Sequence, residues 1–444
     1  MHAHAVFVAL ALILAPLTAD AADLVVWWEK GYYDQEDEAV REIVAAFEQE
    51  TGKQVDLVFQ QQNELQQKIL AALDAGHPPD FVFGLWIVEN VGEWAFDDRL
   101  MDLSDAVGHF ADVFDSDALE REVLLNGKTG QKALYALPMA NSVNHLHVWK
   151  NLLESAGFTL ADIPREWEAF WSFWCDQVQL AVRQATGRDD IYGVGLAMSA
   201  RAADTYIEFF QFLAAQKAEY VSPDGRLVID DPEVRRRLIK VIDSYTAIYR
   251  KGCTPPDTVT WFDDGNNKAF LAQTVVMTAN VSLSIPNALK SERPDDYYKN
   301  VATIQWPLGS SGEPFPIYSE ISPGVVFKGA ATSAKEFVRF LVAEGWLMHY
   351  LDFSGERFLP TIPKLLEQPF WLDPSDPHRM AAVMQLSSRP LAHNYAAASG
   401  DWRHQLVDQE RVWAKAVQRV ASEGVSPEQA VDEAIARIKQ ILSD

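Results

Sequence analysis

Residues 24–59 read LVVWWEKGYYDQEDEAVREIVAAFEQETGKQVDLVF. Leu24 to Trp27 is an unbroken apolar run, as in a strand buried on both faces. Val40, Ile43, Val44 and Phe47 then recur at i, i+3, i+4 and i+7, the spacing of one helix face, and Gly52 ends the helix. Val55, Leu57 and Phe59 alternate with polar residues, as a strand does. Further out, Leu65 to Leu73 is helical in period and is closed by Gly76 and Pro78-Pro79, and Asp80-Phe81-Val82-Phe83 supplies another short strand. Strands and helices in this alternation build βαβ units around a parallel sheet.

The rest of the chain extends the pattern. Asn126-Gly127-Lys128 is a hairpin turn signal. It leads into residues 133–148, ALYALPMANSVNHLHV, which read as strand with a break at Pro138. Helices are expected over 149–157, 166–182 and 205–213. Asp231 and Pro232 open a longer one as N-cap and first-turn proline, with the stripe Val234, Leu238, Val241, Tyr245 and Ile248. Residues 274–278, 301–305 and 324–327 read as strands and 333–340 as helix. Ser426 and Gln429 form the capping box of a last helix. There is no repeat and no low-complexity linker, so two lobes would be joined by a chain that crosses between them more than once.

Composition narrows the function. The chain has 444 residues, 48% of them apolar, and a net charge of −25. Such a chain can build a large core, and its length fits two domains. A surface this acidic repels phosphate, and no Lys/Arg run compensates, so nucleic acid is excluded as a partner, as are anionic membrane surfaces. Ala5 to Leu17 is a short apolar run followed by Ala19-Asp20-Ala21, which reads as a secretory signal over residues 1–21, too short for a membrane span. Cys175 and Cys253 are the only cysteines. Export would permit a disulfide, but the Trp-rich stretch around Cys175 suits a buried free thiol.

Familiar catalytic patterns fail. Gly127-Lys128-Thr129 lacks the upstream glycine of a phosphate loop, since Glu122 stands there, and Gly193-Val194-Gly195 lacks the third glycine of a dinucleotide fingerprint, where Met198 stands. His145 and His147 share a strand face but no carboxylate completes a ligand set, so neither metal nor cofactor is expected. What stands out is tryptophan, with 14 in the chain. Trp27-Trp28-Glu29 ends the first strand, Trp86 follows the third, Trp261 precedes Asp263, and Trp402 lies in SGDW. Indole faces stack on the C–H faces of sugar rings, and neighbouring amides and carboxylates bond hydroxyls. Open α/β sheets bind ligands beyond the carboxyl ends of their strands. Trp167, Trp171 and Trp174 differ, because their helical spacing means core.

The segment order resembles the family 1 extracellular solute-binding proteins of bacterial ABC importers, the sugar-binding, maltose-binding-protein-like group. Six stretches carry the resemblance: residues 24–59, LQQKILAALDAGHPPDFVF, NGKTGQKALYALPMANSVNHLHVWKNLLESAGF, PDGRLVIDDPEVRRRLIKVIDSYTAIYRKG, WFDDGNNKAFLAQTVVMTAN and AVDEAIARIKQIL. The resemblance implies an α/β fold of periplasmic binding protein type II, two lobes joined by a multi-crossing hinge that includes Pro138 to Ser142. The first lobe is expected over 22–140 plus 300–340, the second over 141–299 plus 341–444. It implies a periplasmic monomer that is not an enzyme, captures a carbohydrate or polyol and delivers it to ABC permease subunits. The expected ligand contacts are Trp28, Glu29, Trp86, Asn141, Trp261, Asp263, Asn280, Glu320 and Trp402, with Trp28 and Trp402 foremost. Two other readings stay open: a cationic solute such as a polyamine, which the acidic composition suits, and a secreted glycoside hydrolase using two of the 63 acids.

Overall fold

The computed structural model describes residues 22–343, 345–354, 357–388, 391–392 and 399–443, so the expected signal segment lies outside the described residues. The opening stretch folds as read. Strand β1 (Leu24–Glu29), helix α1 (Asp34–Thr51), β2 (Val55–Gln60), α2 (Gln62–Asp74) and β3 (Phe81–Phe83) follow in order, and β1 pairs in parallel with both β2 and β3. The acids in the first turn of α1 fix the loop before it. Glu36 accepts from the N–H groups of Tyr32 and Tyr33, and Asp37 accepts from Gly31 N–H and from Lys30. These are favourable charges at a helix N-terminus.

Helix α3 (Val88–Phe96) precedes the hairpin β4 (Val123–Leu125) and β5 (Lys132–Leu134). Two long strands then organise the molecule. Strand β6 (Ala136–Val143) leads into β7 (His145–Trp149), the start of a second sheet. There β7 pairs with β9 (Val275–Asn280), which pairs with β8 (Tyr192–Gly195), and with β10 (Val301–Ile304). Strand β11 (Ile317–Val326) returns to the first sheet, antiparallel to both β3 and β6, and β12 (Leu391–Ala392) adds to its edge. Asn141 faces Ile321 and Ser142 faces Glu320, so β6 and β11 form the hinge. A third crossing follows Leu359, whose backbone pairs with Asn141. Pro138 does not break its strand. It faces Pro323, beside a register shift, where neither partner has an N–H to offer the ladder.

Two cores result. Leu24, Val26, Trp28, Ile43, Phe47 and Phe83 anchor the first. The second gathers Trp149, Trp167, Trp174 and Phe212 with helices α4 (Ala203–Ala215) and α5 (Pro232–Arg250). Helix α6 (Gly265–Leu271) precedes β9. Helices α7 (Thr332–Ala343) and α8 (Trp346–Phe353) pack on the first core through Phe337, Leu341, Leu347 and Tyr350, whereas α9 (His404–Gln409), α10 (Val412–Ser422) and α11 (Pro427–Ser443) join the second.

The expected lobe boundaries therefore shift. Residues 301–304 belong to the second sheet because β10 pairs with β7, and the first lobe runs past 340 because α8 buries its apolar face on β1 and α1. A second correction concerns the cysteines. Cys175 and Cys253 are joined by a disulfide. The segment leaving α5 runs beside β8, with Val194 N–H donating to the Cys253 carbonyl, and this brings two residues 78 apart in sequence to a Cα separation of 5.0 Å. The environment of Cys175 is apolar as expected, but sequence alone could not show that its neighbour is the other cysteine.

The lobes meet at α3 and α9. Gln405 donates to the Val88 carbonyl at 2.9 Å and accepts from Gly92 N–H at 3.1 Å, and Gln409 donates to the Glu89 carbonyl at 2.6 Å. A Cβ at Gly92 would stand 2.6 Å from Gln405 Oε1, so glycine is what permits this approach.

Candidate binding cleft

A cavity of about 580 Å³ lies between the lobes, with the hinge residues Ser142, Glu320 and Ser322 among those lining it. The first lobe contributes the carboxyl-end loops of its parallel strands: Tyr32 after β1, Gln62 and Asn63 after β2, Leu85 and Trp86 after β3. The second contributes Asn280, Val281, Ser282 and Ser284 at the end of β9, Asp204 in the first turn of α4, and Phe262 to Asp264 before α6. Ligand sites at strand carboxyl ends follow from the backbone groups and loops that converge there. Tyr32 is 46% and Phe262 58% exposed, so each lobe presents a partly open aromatic ring, with Arg357 5.5 Å over Tyr32 and Arg201 5.3 Å over Phe262. A smaller cavity of about 110 Å³ adjoins it, sharing Gln62, Asn63, Trp86 and Asp263 and adding Glu29, Glu89 and Arg411.

Five expected residues reach these cavities. Glu29 accepts from Leu85 N–H at 2.8 Å. Trp86 lines both cavities, and its indole Nε1 has no hydrogen-bond partner. Asp263 accepts from the N–H of Ala203 and so caps α4 from another loop. Asn280 donates to the Ser282 carbonyl at 2.8 Å and to Ser284 Oγ at 3.0 Å. Glu320 accepts from the Tyr318 hydroxyl.

Four expected residues do not line them. Trp28 is 1% exposed and packs in the first core, 4.8 Å from the Phe83 ring and 5.2 Å from Tyr350. In a sheet covered on both faces neither half of a Trp-Trp pair is free for the cleft: Trp28 is buried on one face and Trp27 packs half-buried on the other. Asn141 turns away and accepts from Ser319 Oγ at 2.7 Å, leaving its neighbour Ser142 to face the cleft. Trp261 packs on Ala197 and Ala202 and faces a separate hollow of the second lobe. Trp402 stands 5.8 Å from Phe96 and lines another cavity of about 330 Å³, walled by α3, the β4–β5 hairpin and β11.

Sequence reading missed Tyr32, Asp204, Phe262, Arg357 and Arg411. Tyr32 lies in a Gly-Tyr-Tyr loop directly after β1, which was a usable signal. Arg357 pairs with Glu36, and Arg411 pairs with Glu89 across the lobes at 2.7 Å. Arg411 holds a left-handed backbone (φ 52°) as it does so.

Electrostatics here are dominated by buried acids. Burial pushes Glu29 up to about 7, opposed by Arg357, and Glu320 up to about 7, opposed by the Tyr318 hydrogen bond. Burial also lifts Glu122 and Glu208 to about 8. Each holds its proton more tightly folded than unfolded, where the ordinary value is near 4.5. Their stabilisation is therefore full below that value and is lost as pH rises through 7 to 8. His145, His378 and His404 are lowered by burial and act in the opposite direction, but only below about pH 6.5. The expected result is a melting temperature that falls from pH 6.5 to 8.5. Glu208→Gln keeps an acceptor for Asn144 and removes the buried charge; it should raise stability at pH 8.5 by on the order of 1 kcal/mol and flatten the slope. A slope unchanged in E208Q would show that this carboxyl ionises freely.

A family model described as bacterial extracellular solute-binding protein matches residues 42–380. The chain belongs to this family. No curated protein matches it. Among solved structures, the solute-binding family member resembles an ABC transporter solute-binding protein of Thermotoga lettingae bound with α-D-tagatose, at a TM-score of 0.75 and 17% identity over 94% of this chain and 99% of that one. It also resembles maltose-bound MalE3 of T. maritima, at 0.73 and 19% over 94% and 99%. A ribitol complex of an ABC transporter solute-binding protein from Agrobacterium radiobacter gives 0.71 and 17% over 94% and 98%. At these identities the likeness is one of fold, and it covers both lobes.

Proposed function

We propose that this solute-binding protein captures a carbohydrate or polyol in the interlobe cleft and delivers it unaltered to the permease subunits of an ABC importer. The observation that carries this reading is the pair of opposed jaws. Trp86 and the exposed ring of Tyr32 face Phe262 across a cavity of about 580 Å³, within the range of small-molecule sites. Rings from both sides suit the two C–H faces of a pyranose, and Asn63, Ser142 and Asn280 suit its hydroxyls. Relatives of the same fold hold tagatose, maltose and ribitol. Export to the periplasm as a monomer, through residues 1–21, belongs to the same proposal, and the disulfide suits an oxidising compartment.

Titration calorimetry against tagatose, maltose and ribitol, with the ligand recovered afterwards, tests it. We expect saturable binding and unchanged ligand; hydrolysed maltose would favour the glycosidase reading. Trp86→Ala and Phe262→Ala should each weaken binding tenfold or more, about 1.4 kcal/mol. Trp402→Ala should leave affinity within about twofold, because Trp402 lines a different cavity. A larger loss in W402A than in W86A would move the ligand to that cavity.

A further inference from the structure

The second-lobe wall of the cleft holds two buried side-chain oxygens without a hydrogen-bond partner. Asp204 lines the cavity, is 6% exposed, and leaves its Oδ2 without a hydrogen-bond partner. Asn267 lines the same cavity, is equally buried, and leaves its Oδ1 unpartnered, its amide donating to Ser284 Oγ. Meanwhile the cations are engaged. Lys268 pairs with Asp264, Arg357 with Glu36, and Arg411 with Glu89. Among the described residues no Lys or Arg lies within ion-pair reach of Asp204. Its charged neighbours are instead acidic: burial, with Asp263 and Glu208, holds its carboxyl well above the usual range, opposed by a hydrogen bond from the Asn266 side chain.

An unpaired buried carboxylate is costly, so in the unliganded protein Asp204 keeps its proton; a cation seated beside it would release that proton and take its place. A neutral sugar hydroxyl supplies one proton and brings lone pairs that need donors of their own. An ammonium supplies three N–H donors, no acceptor, and the missing charge.

We propose that the ligand carries a protonated amine, which donates to Asp204 Oδ2 and Asn267 Oδ1, so that the substrate class is an amino sugar or amino polyol. The inference rests on the carbohydrate-cleft reading and narrows it. Trp86 and Phe262 would still stack on the ring, and the amine would set the ligand's orientation against the second lobe.

Probes that exchange the amine for a hydroxyl or an acetamide test it. Calorimetry on the full protein would compare D-glucosamine with D-glucose and N-acetyl-D-glucosamine, D-glucamine with sorbitol, and the glucosamine dimer with cellobiose and its diacetylated counterpart. We expect the free amine to bind at least about tenfold tighter than its hydroxyl or acetamide partner in at least one set. Asp204→Asn should bring the members of that set within about twofold of each other, without lowering the melting temperature of the unliganded protein. Equal or tighter binding of the neutral members would overturn the inference and leave the carbohydrate reading standing. An amine preference that survives D204N would overturn the role of Asp204. Binding by no member of any set would count against both readings. Should D204N fail to fold, the comparison of amine with acetamide on the unaltered protein decides alone.

Discussion

Arg357→Met lowers the unfolding free energy by about 3–5 kcal/mol, the range for removing one partner of a buried ion pair. Glu36 is buried and the Arg357 side chain is 11% exposed, with guanidinium and carboxylate 3.3 Å apart. The guanidinium also lies 4.6 Å over the Phe358 ring and 5.5 Å over Tyr32, and its charge opposes the upward push of burial on Glu29 and Glu36. Methionine keeps most of the volume but leaves two acids without a countercharge. Both would then hold protons more tightly, so the deficit should be larger at pH 8 than at pH 5. Urea unfolding at the two pH values measures it, and Glu36→Gln in the R357M background should recover part of the loss. A deficit below about 1 kcal/mol at pH 8 would mean that the pair is solvated like a surface bridge. Tyr33, held by the same loop, donates its hydroxyl to the Ser284 carbonyl across the cleft at 2.7 Å. The variant should therefore weaken ligand binding as well as folding.

The second large effect belongs to the disulfide. Replacing Cys175 and Cys253 together by alanine should destabilise the second lobe by about 2–5 kcal/mol. The bridge closes a loop of 78 residues, and tethering so long a loop removes much freedom from the unfolded chain. Cys253 is fully buried beside Gly193, where an added Cβ would meet the Trp174 carbonyl at 2.3 Å and Cys253 Sγ at 3.3 Å. Loss of the bridge should therefore loosen the contact between the helical run and β8 itself. Denaturation with and without a thiol reductant gives the comparison. The double variant should match the reduced protein, and insensitivity to reductant would show that the two sulfurs are not bonded.

Much of the frame was legible in the chain. The order β1–α1–β2–α2–β3 follows from apolar runs, helical periodicity and glycine stops that tertiary context had no reason to override. The hinge strand through Asn141 and Ser142 was legible too. Strand β11 was visible only at Gly324–Phe327, because Ser319-Glu320-Ile321-Ser322-Pro323 has neither the run nor the alternation of a buried strand. Its partner is another proline-bearing strand, and only the pairing explains it. The lobe boundaries slipped where short elements choose their sheet by tertiary pairing, as Val301–Ile304 does.

The cleft shows the same division. Glu29, Trp86 and Asn280 reach the cleft because they lie at or just after strand carboxyl ends, a place topology dictates, whereas Asp263 reaches it from the loop before α6 and Glu320 from the middle of β11. Trp28, Trp261 and Trp402 lie away from this cleft, and an indole beside a polar residue looks the same in sequence whether it faces core, cleft or another hollow. Asp204 begins a helix that is buried along its whole length, so nothing local marks it as a wall of the site. Arg357 and Arg411 are placed by long-range pairing with Glu36 and Glu89, which no local pattern reveals.

The central claim is that the guest lies between the lobes, against Trp86 and Phe262. The crystal structure of the protein with its tightest-binding sugar, polyol or amino derivative tests it most directly. The ligand should lie enclosed between those two rings, in contact with Asp204 and with hinge residue Ser142 or Glu320. A ligand seated beside Trp402, or on the outer surface of either lobe, would contradict it.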